Sequence, residues 1–378
     1  MEEEKKFEMR EVINFENTYK LSQRIKLNYP NFDDINFNKE IENKLQSLSL
    51  MDRILLVQNT LEKYLPKDFE EMTKILLKSQ LPPINDDRSD NYPSDFIAVP
   101  MSGLIAKFGC NKKYFDLAMK AQYEMTKRFS CEWSIHDFIE KFEDESFAYL
   151  KIWAKDKNCH VRRLCSEGIR PKLPWSRPFK KFQKNPTRIF TILDLLYFDT
   201  HRYVTRSVCN CLNDISKTHP KLVVDSLKKW GKEKKQNKKE FEWMKKHALR
   251  TLIKKGDIYA LEYLGFKQNP KLICDLTIKT PHISLGNTLE FEIQINPKES
   301  SKLIIDYLIH FVKANGKLSN KVFKIKTIEL KKNKTVTIIK KHPLKKMTTR
   351  KLYSGIHNLE IQINGKICAK GEFDFKNK

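Results

Sequence analysis

Three short segments return along this chain at nearly constant spacing: Val161-Arg-Arg163-Leu, Val204-Thr-Arg206-Ser and Ala248-Leu-Arg250-Thr, with their arginines 43 and 44 residues apart. Each follows a stretch whose apolar residues recur every three or four positions, over 146–155, 187–197 and 222–246. A period of about 40–47 residues made of paired helices predicts an α-solenoid of the HEAT or armadillo kind. On a helical wheel Val204, Val208 and Leu212 fall in one stripe, while Arg206, Asn210 and Asp214 lie about 200° away. The same offset separates Val161 and Cys165 from Arg163 and Glu167, and Ala248 and Leu252 from Arg250 and Lys254. Stacked in register, the repeats set three polar stripes side by side as a concave surface. A set of solvated outer faces is the competing reading.

The helical pattern begins earlier and stops abruptly. Residues from Phe7 to about Leu27 and from Ile41 to about Leu65 read as helices closed by Pro30 and Pro66. Residues 81–90 read as a polar loop, and helices resume from about Phe96 to Leu264. After Gly265 the period changes from helical to alternating. Strands are expected over 272–280, 289–296, 303–312, 322–330, 335–340 and 359–364, with turns at Gly286, Asn315-Gly and Asn364-Gly. Six or seven short strands predict an immunoglobulin-like sandwich. The division is therefore 1–269 for the helical repeats and 270–378 for an all-β domain.

Charge is unevenly spread. Residues 1–100 carry 14 Lys/Arg against 19 Asp/Glu, residues 101–269 carry 36 against 19, and residues 270–378 carry 22 against 9. A net +25 gathered in the middle and C-terminal parts points to a polyanion. No apolar run approaches the roughly 20 residues of a membrane span, and the start lacks the order of a signal peptide. The eight cysteines form no CxxC pair, and no HExxH, P-loop or dinucleotide glycine pattern occurs. These features predict a cytoplasmic protein with reduced thiols and no disulfide, metal or nucleotide cofactor.

The segment His160 to Trp175 is chemically the densest. Glu167 stands among Arg162, Arg163, Arg170 and Lys172, and a Pro-rich turn then displays Trp175 before Arg177. Basic side chains suit phosphate, and an aromatic at a loop tip suits stacking on a base. A carboxylate in such surroundings suggests that something positive is met there.

Together, Val161-Arg-Arg…Ser-Glu-Gly-Ile-Arg-Pro-Lys-Leu-Pro-Trp175, Val204-Thr-Arg-Ser-Val…Asn213-Asp-Ile-Ser-Lys-Thr-His-Pro220 and His247-Ala-Leu-Arg-Thr-Leu-Ile-Lys-Lys-Gly256 resemble bacterial alkylation-repair DNA glycosylases of the AlkC type. That HEAT-like-repeat family is related to AlkD, and the resemblance covers nearly the whole chain. It implies excision of 3-methyladenine and 3-methylcytosine from double-stranded DNA without metal or cofactor, in the bacterial cytoplasm at the nucleoid. It places the site acids at Glu132, Glu167 and Asp214 and an aromatic of the lesion pocket at Trp175. Trp133 is a second candidate for that pocket, with a core position as its alternative. Arg163, Arg170, Lys172, Arg177, Arg206, Arg250 and Lys254 are candidate phosphate contacts.

The chemistry fits such a set. Alkylation at N3 makes the base a cationic leaving group, so no acid need protonate it. Bond breaking builds oxocarbenium character on the sugar, which fixed negative charge stabilises. Glu167 is the expected principal stabiliser and water holder, supplemented by Asp214 and Glu132. A simple pairing of Glu167 with Arg163, a structural Asp214 and a helix-start role for Glu132 are the plainer alternatives. No lysine is singled out for a lyase step, and a monomer is expected. A non-catalytic repeat module that binds DNA or RNA structures is the competing function, and a protein–protein scaffold is a third.

Overall fold

The computed structural model describes residues 8–84, 93–346 and 351–377. The polar loop expected over 81–90 lies outside the described residues from residue 85 onward. The chain forms two compact units, Met1–Thr218 with Trp230–Ala248, and His219–Lys229 with Leu249–Lys378.

The helices in chain order are α1 (Phe15–Asn28), α2 (Asp34–Leu45), α3 (Leu50–Tyr64), α4 (Phe69–Lys78), α5 (Val99–Gly109), α6 (Phe115–Thr126), α7 (Ile135–Lys141), α8 (Glu143–Trp153), α9 (Cys159–Glu167), α10 (Lys180–Lys184), α11 (Thr187–Leu196), α12 (Arg202–Ser216), α13 (Pro220–Glu233), α14 (Lys238–Ala248), α15 (Arg250–Lys255) and α16 (Ile258–Tyr263). The single helix expected over 41–65 is two, because Ser49 accepts the N–H of Asp52 and starts α3 afresh. Asn14, Asp33 and Asp68 cap α1, α2 and α4 in the same way. Among the described residues no helix is long and apolar enough to cross a membrane.

In the first unit, α9 packs against α8, α11 and α12, and α12 packs against α9 and α14. The apolar stripes read from the wheel are buried: Val161, Cys165, Val204, Val208 and Leu212 are fully enclosed. A repeated turn sets the register of the stacked helices. Asp156 accepts the N–H of Asn158 at 2.8 Å, Asp199 that of His201 at 2.8 Å, and Asn237 that of Lys239 at 2.9 Å. Those turns are 43 and 38 residues apart. The third repeat is therefore shorter than the arginine spacing indicates, and the helix beside α12 is α14. Arg250 falls past its end, on α15.

Gly168 lets the end of α9 lie close against α7. A Cβ there would stand 2.5 Å from Cγ2 of Ile135 and 3.1 Å from the Leu164 carbonyl oxygen, so only glycine allows this approach to the start of α7.

Among the described residues of the second unit eight strands form two sheets: β1 (Leu272–Ile278), β2 (His282–Ser284), β3 (Thr288–Pro297), β4 (Ser301–Val312), β5 (Leu318–Leu330), β6 (Val336–Pro343), β7 (Gly355–Ile363) and β8 (Lys366–Lys376). Their orders are β1-β3-β6 and β2-β8-β7-β4-β5, antiparallel except for β2 along β8. Alternating residues Leu289, Phe291, Ile293 and Ile295 of β3 meet Leu303, Ile305, Tyr307, Leu359, Ile361, Phe373 and Phe375 in one core. Strands β2 and β8 were not expected. Gly371 and the lysines of β8 dilute its alternation, although the turn at Asn364-Gly that pairs it with β7 was legible. All eight cysteines are free.

Within this unit the end of α15 rests on the β7–β8 turn. Gly256 (φ +70°) and Gly365 (φ +83°) meet backbone to backbone, and a Cβ on either would stand 2.4 Å from the other's Cα. Gly365→Ala should therefore destabilise the unit by about 2 kcal/mol or more, since left-handed strain adds to a clash. Gly316→Ala, also left-handed but open to solvent within 4 Å, should cost only the strain, about 1 kcal/mol. Urea unfolding of both variants checks this, and equal losses contradict it.

Candidate active site

Three acids from separate elements are tied into one buried chain of ion pairs. Glu132 lies in the turn before α7, Glu167 at the end of α9 and Asp214 in the last turn of α12. Arg163 pairs with Oε2 of Glu132 and lies 3.4 Å from Oε1 of Glu167. Arg170, in the loop after α9, bridges the other two acids. Its Nη1 donates to Oε1 of Glu167 at 2.5 Å and its Nε to Oδ2 of Asp214 at 2.8 Å. Lys217 closes the series by donating to Oδ1 of Asp214 at 2.9 Å. The side chains of Glu167 and Asp214 are only 4% and 2% exposed, against 17% for Glu132. That ordering decides which acid reaches solvent most easily.

Serines the sequence reading missed complete the shell. Ser207 of α12 donates to Oε2 of Glu167 at 2.7 Å and is itself met by Ser166 at 2.7 Å. Ser130 donates to Oε2 of Glu132 at 2.9 Å and accepts from Arg163 at 2.7 Å. Their signal was the spacing: Ser166 and Ser207 sit on neighbouring repeats, 41 residues apart. The guanidinium of Arg163 also lies over the ring of Tyr203 at 5.1 Å.

Burial opposes ionisation of Glu167, but Arg163, Arg170 and the Ser207 hydroxyl outweigh it and hold its carboxyl below the usual glutamate range. Burial likewise disfavours the cations, yet Glu132, Tyr203 and Glu167 around Arg163, and Glu167 and Asp214 around Arg170, push both guanidinium values upward. Cations buried beside it thus keep the enclosed Glu167 anionic. Surface pairing of Glu167 with Arg163 does not describe this arrangement, because both groups are enclosed. Neither arginine stands open on the surface as the sequence reading expected. Their hydrogen bonds are spent on the acids, which makes them holders of the carboxylates.

The aromatic part sits beside Glu132. Trp175 is 56% exposed and has φ +58°, a left-handed conformation that costs a bulky residue about 1–3 kcal/mol. Its ring meets Trp133 edge-on at 6.1 Å, and Trp133 in turn meets Phe96 at 6.1 Å. Trp153, by contrast, is buried in the core. Of the remaining candidate phosphate contacts, Lys172 and Lys254 are exposed, and Arg177 is exposed but paired with Asp137 and Glu140. Arg206 lies half-buried over Tyr203 at 5.7 Å, and Arg250 is half-buried on α15. Among the described residues no cluster of three or more His, Cys, Asp or Glu is placed to hold a metal ion.

A family model described as DNA alkylation repair enzyme matches residues 120–252, which include Glu132, Glu167, Trp175 and Asp214. A second, described as the C-terminal Ig-like domain of the uncharacterised protein YhaZ, matches residues 272–377. YhaZ of Bacillus subtilis (strain 168), an uncharacterised protein, is 33% identical over 371 residues, 98% of this chain and 99% of its own. The Pseudomonas fluorescens alkylpurine DNA glycosylase AlkC, solved bound to DNA containing an abasic-site analog, is 31% identical with a TM-score of 0.87, covering 97% of this chain and 99% of its own. The chain belongs to the AlkC-type family of alkylation-repair DNA glycosylases. Its architecture is that family's, helical repeats followed by an immunoglobulin-like sandwich.

Two predictions follow from the ion chain. Arg170→Met leaves two buried carboxylates short of a partner and should cost about 3–5 kcal/mol of stability, read by denaturant unfolding. Glu167 also stays ionised to lower pH in the folded chain than the ordinary value of about 4.3. Its stabilisation is therefore complete above that value and lost as pH falls through the folded one. Glu167→Gln should flatten the stability curve below about pH 4.5; an unchanged acid limb contradicts the assignment.

Proposed function

We propose that this protein is a DNA N-glycosylase that hydrolyses the glycosidic bond of cationic N3-alkylated bases, 3-methyladenine and 3-methylcytosine, in double-stranded DNA. The single observation that carries the reading is Arg170 bridging Glu167 and Asp214 in a buried site, where both acids are fixed before any substrate arrives. Preorganised charge of this kind stabilises an oxocarbenium-like transition state without reorganisation. Glu167 is the main stabiliser and holds the attacking water, Asp214 adds negative charge, and Glu132 reaches toward the open side. Both bonds to Glu132 fall on Oε2, which favours Oε1 as the atom that meets a ligand. Trp175 stacks on the nucleotide at the lesion, with Trp133 behind it.

The relative AlkC was solved with an abasic-site analog, the kind of DNA that base removal leaves. Lys172, Arg177, Arg206, Arg250 and Lys254 meet phosphates, the net positive sandwich, residues 270–378, grips the duplex, and residues 1–269 perform the chemistry. The reaction is hydrolysis alone, with no lyase step, so the abasic strand stays intact. The protein works as a monomer on the nucleoid and needs no cofactor.

The test is release of free bases from methylated DNA by the pure protein. Native protein should release 3-methyladenine, and Glu167→Gln should lower the rate about a hundredfold or more with DNA affinity kept. Unchanged release in that variant removes Glu167 from the mechanism. No release by the native protein, with tight DNA binding, supports a non-catalytic DNA-binding module instead. Binding should weaken steeply with salt, by several units in the slope of log affinity.

A further inference from the structure

Trp175 is exposed in a conformation that a bulky residue does not adopt unaided, so something must hold its backbone. The holder is one side of α7 and the turn before it. Trp133, His136, Asp137 and Glu140 are spaced at zero, three, four and seven, the spacing of a single helical face. Every one of them grips a residue that flanks Trp175. Trp133 Nε1 donates to the carbonyl of Pro174 at 3.1 Å, immediately before it. His136 Nδ1 shares a hydrogen bond of 3.2 Å with the Ser176 hydroxyl, immediately after it. Asp137 and Glu140 pair with Arg177 at 2.5 and 2.7 Å. His136 is itself fixed, stacked on Phe179 at 4.0 Å with the rings 26° apart.

The chain is thus tethered on both sides of an indole that remains largely in solvent, through a backbone carbonyl before it and through side chains after it. A core-packing role for this face would enclose the ring; here the indole meets Trp133 edge-on and still stands 56% exposed. We propose that this face of α7 is a clasp that presents Trp175, with Trp133 and His136 as positioning residues acting through Pro174 and Ser176. The clasp rests on the reading of Trp175 as the residue that stacks on DNA. It fixes where the indole stands before DNA binds, so the ordering cost of a mobile loop is not met at the moment of binding.

A double-mutant cycle tests this. Trp133→Phe keeps the ring and removes the Nε1–H donor; Ser176→Ala removes the bond to His136 without touching the buried ring. Each should lower single-turnover release of 3-methyladenine, and affinity for a duplex with an abasic-site analog, about three- to tenfold. In the Trp175→Ala background both should have less than about a twofold effect, since the residue through which they act is gone. Losses that multiply in the two backgrounds overturn the clasp, because they show roles independent of Trp175. Should Trp133→Phe not fold, Ser176→Ala carries the cycle alone. A native protein that releases no base sinks the glycosylase reading, and the clasp is then decided on abasic-duplex affinity, with the same two outcomes.

Discussion

The site depends on one guanidinium. Arg170 reaches from the loop after α9 to carboxylates on two neighbouring repeats, and without it Glu167 and Asp214 would be enclosed anions with too few partners. Burying a carboxylate costs several kcal/mol unless charge and hydrogen bonds answer it. Arg163, Ser207 and Lys217 supply the rest of that answer. The result is acids held in fixed positions by charged and hydroxyl partners, with Glu167 kept ionised despite its burial. The same bonds lock α9, the following loop and α12 together, so the repeat stack and the candidate site share their stabilising contacts.

Around this chain the protein sets opposite kinds of exposure. Acids expected on an open polar stripe are enclosed, while the largest aromatic near them stands out in solvent at a strained backbone position. Strain tolerated at one residue and charges buried at three are both departures from what packing alone would choose. They occur within one region spanning the end of α9, the loop beyond it and the last turn of α12. That concentration is what separates this face from a solvated outer surface.

Much of the architecture was legible in the residues. The stripes on α9 and α12 followed from apolar spacing, and six of the strands from alternation and turn residues. The third repeat was misplaced because a three-residue match at Arg250 competed with a better marker, the Asp156, Asp199 and Asn237 turns, whose meaning lies in side-chain oxygens that accept backbone N–H groups two residues on. The candidate acids were nameable in Ser-Glu-Gly and Asn-Asp-Ile. Their enclosure was not, because a helical wheel gives the face of a side chain and not what covers it. The cover comes from Arg170, in a loop whose path no periodicity describes. The left-handed backbone of Trp175 was hidden for a similar reason, since nothing in a bulky residue announces a conformation that its neighbours impose.

The central claim is that buried cations keep Glu167 an anion. Carbon-13 labelling of glutamate side chains, with Glu167 assigned through Glu167→Gln, reports that directly by NMR as pH is lowered. The carboxyl of Glu167 should titrate below the ordinary glutamate value of about 4.3, in the folded protein without DNA. Titration above that value would show that burial outweighs Arg163 and Arg170, and the account of this site would be wrong.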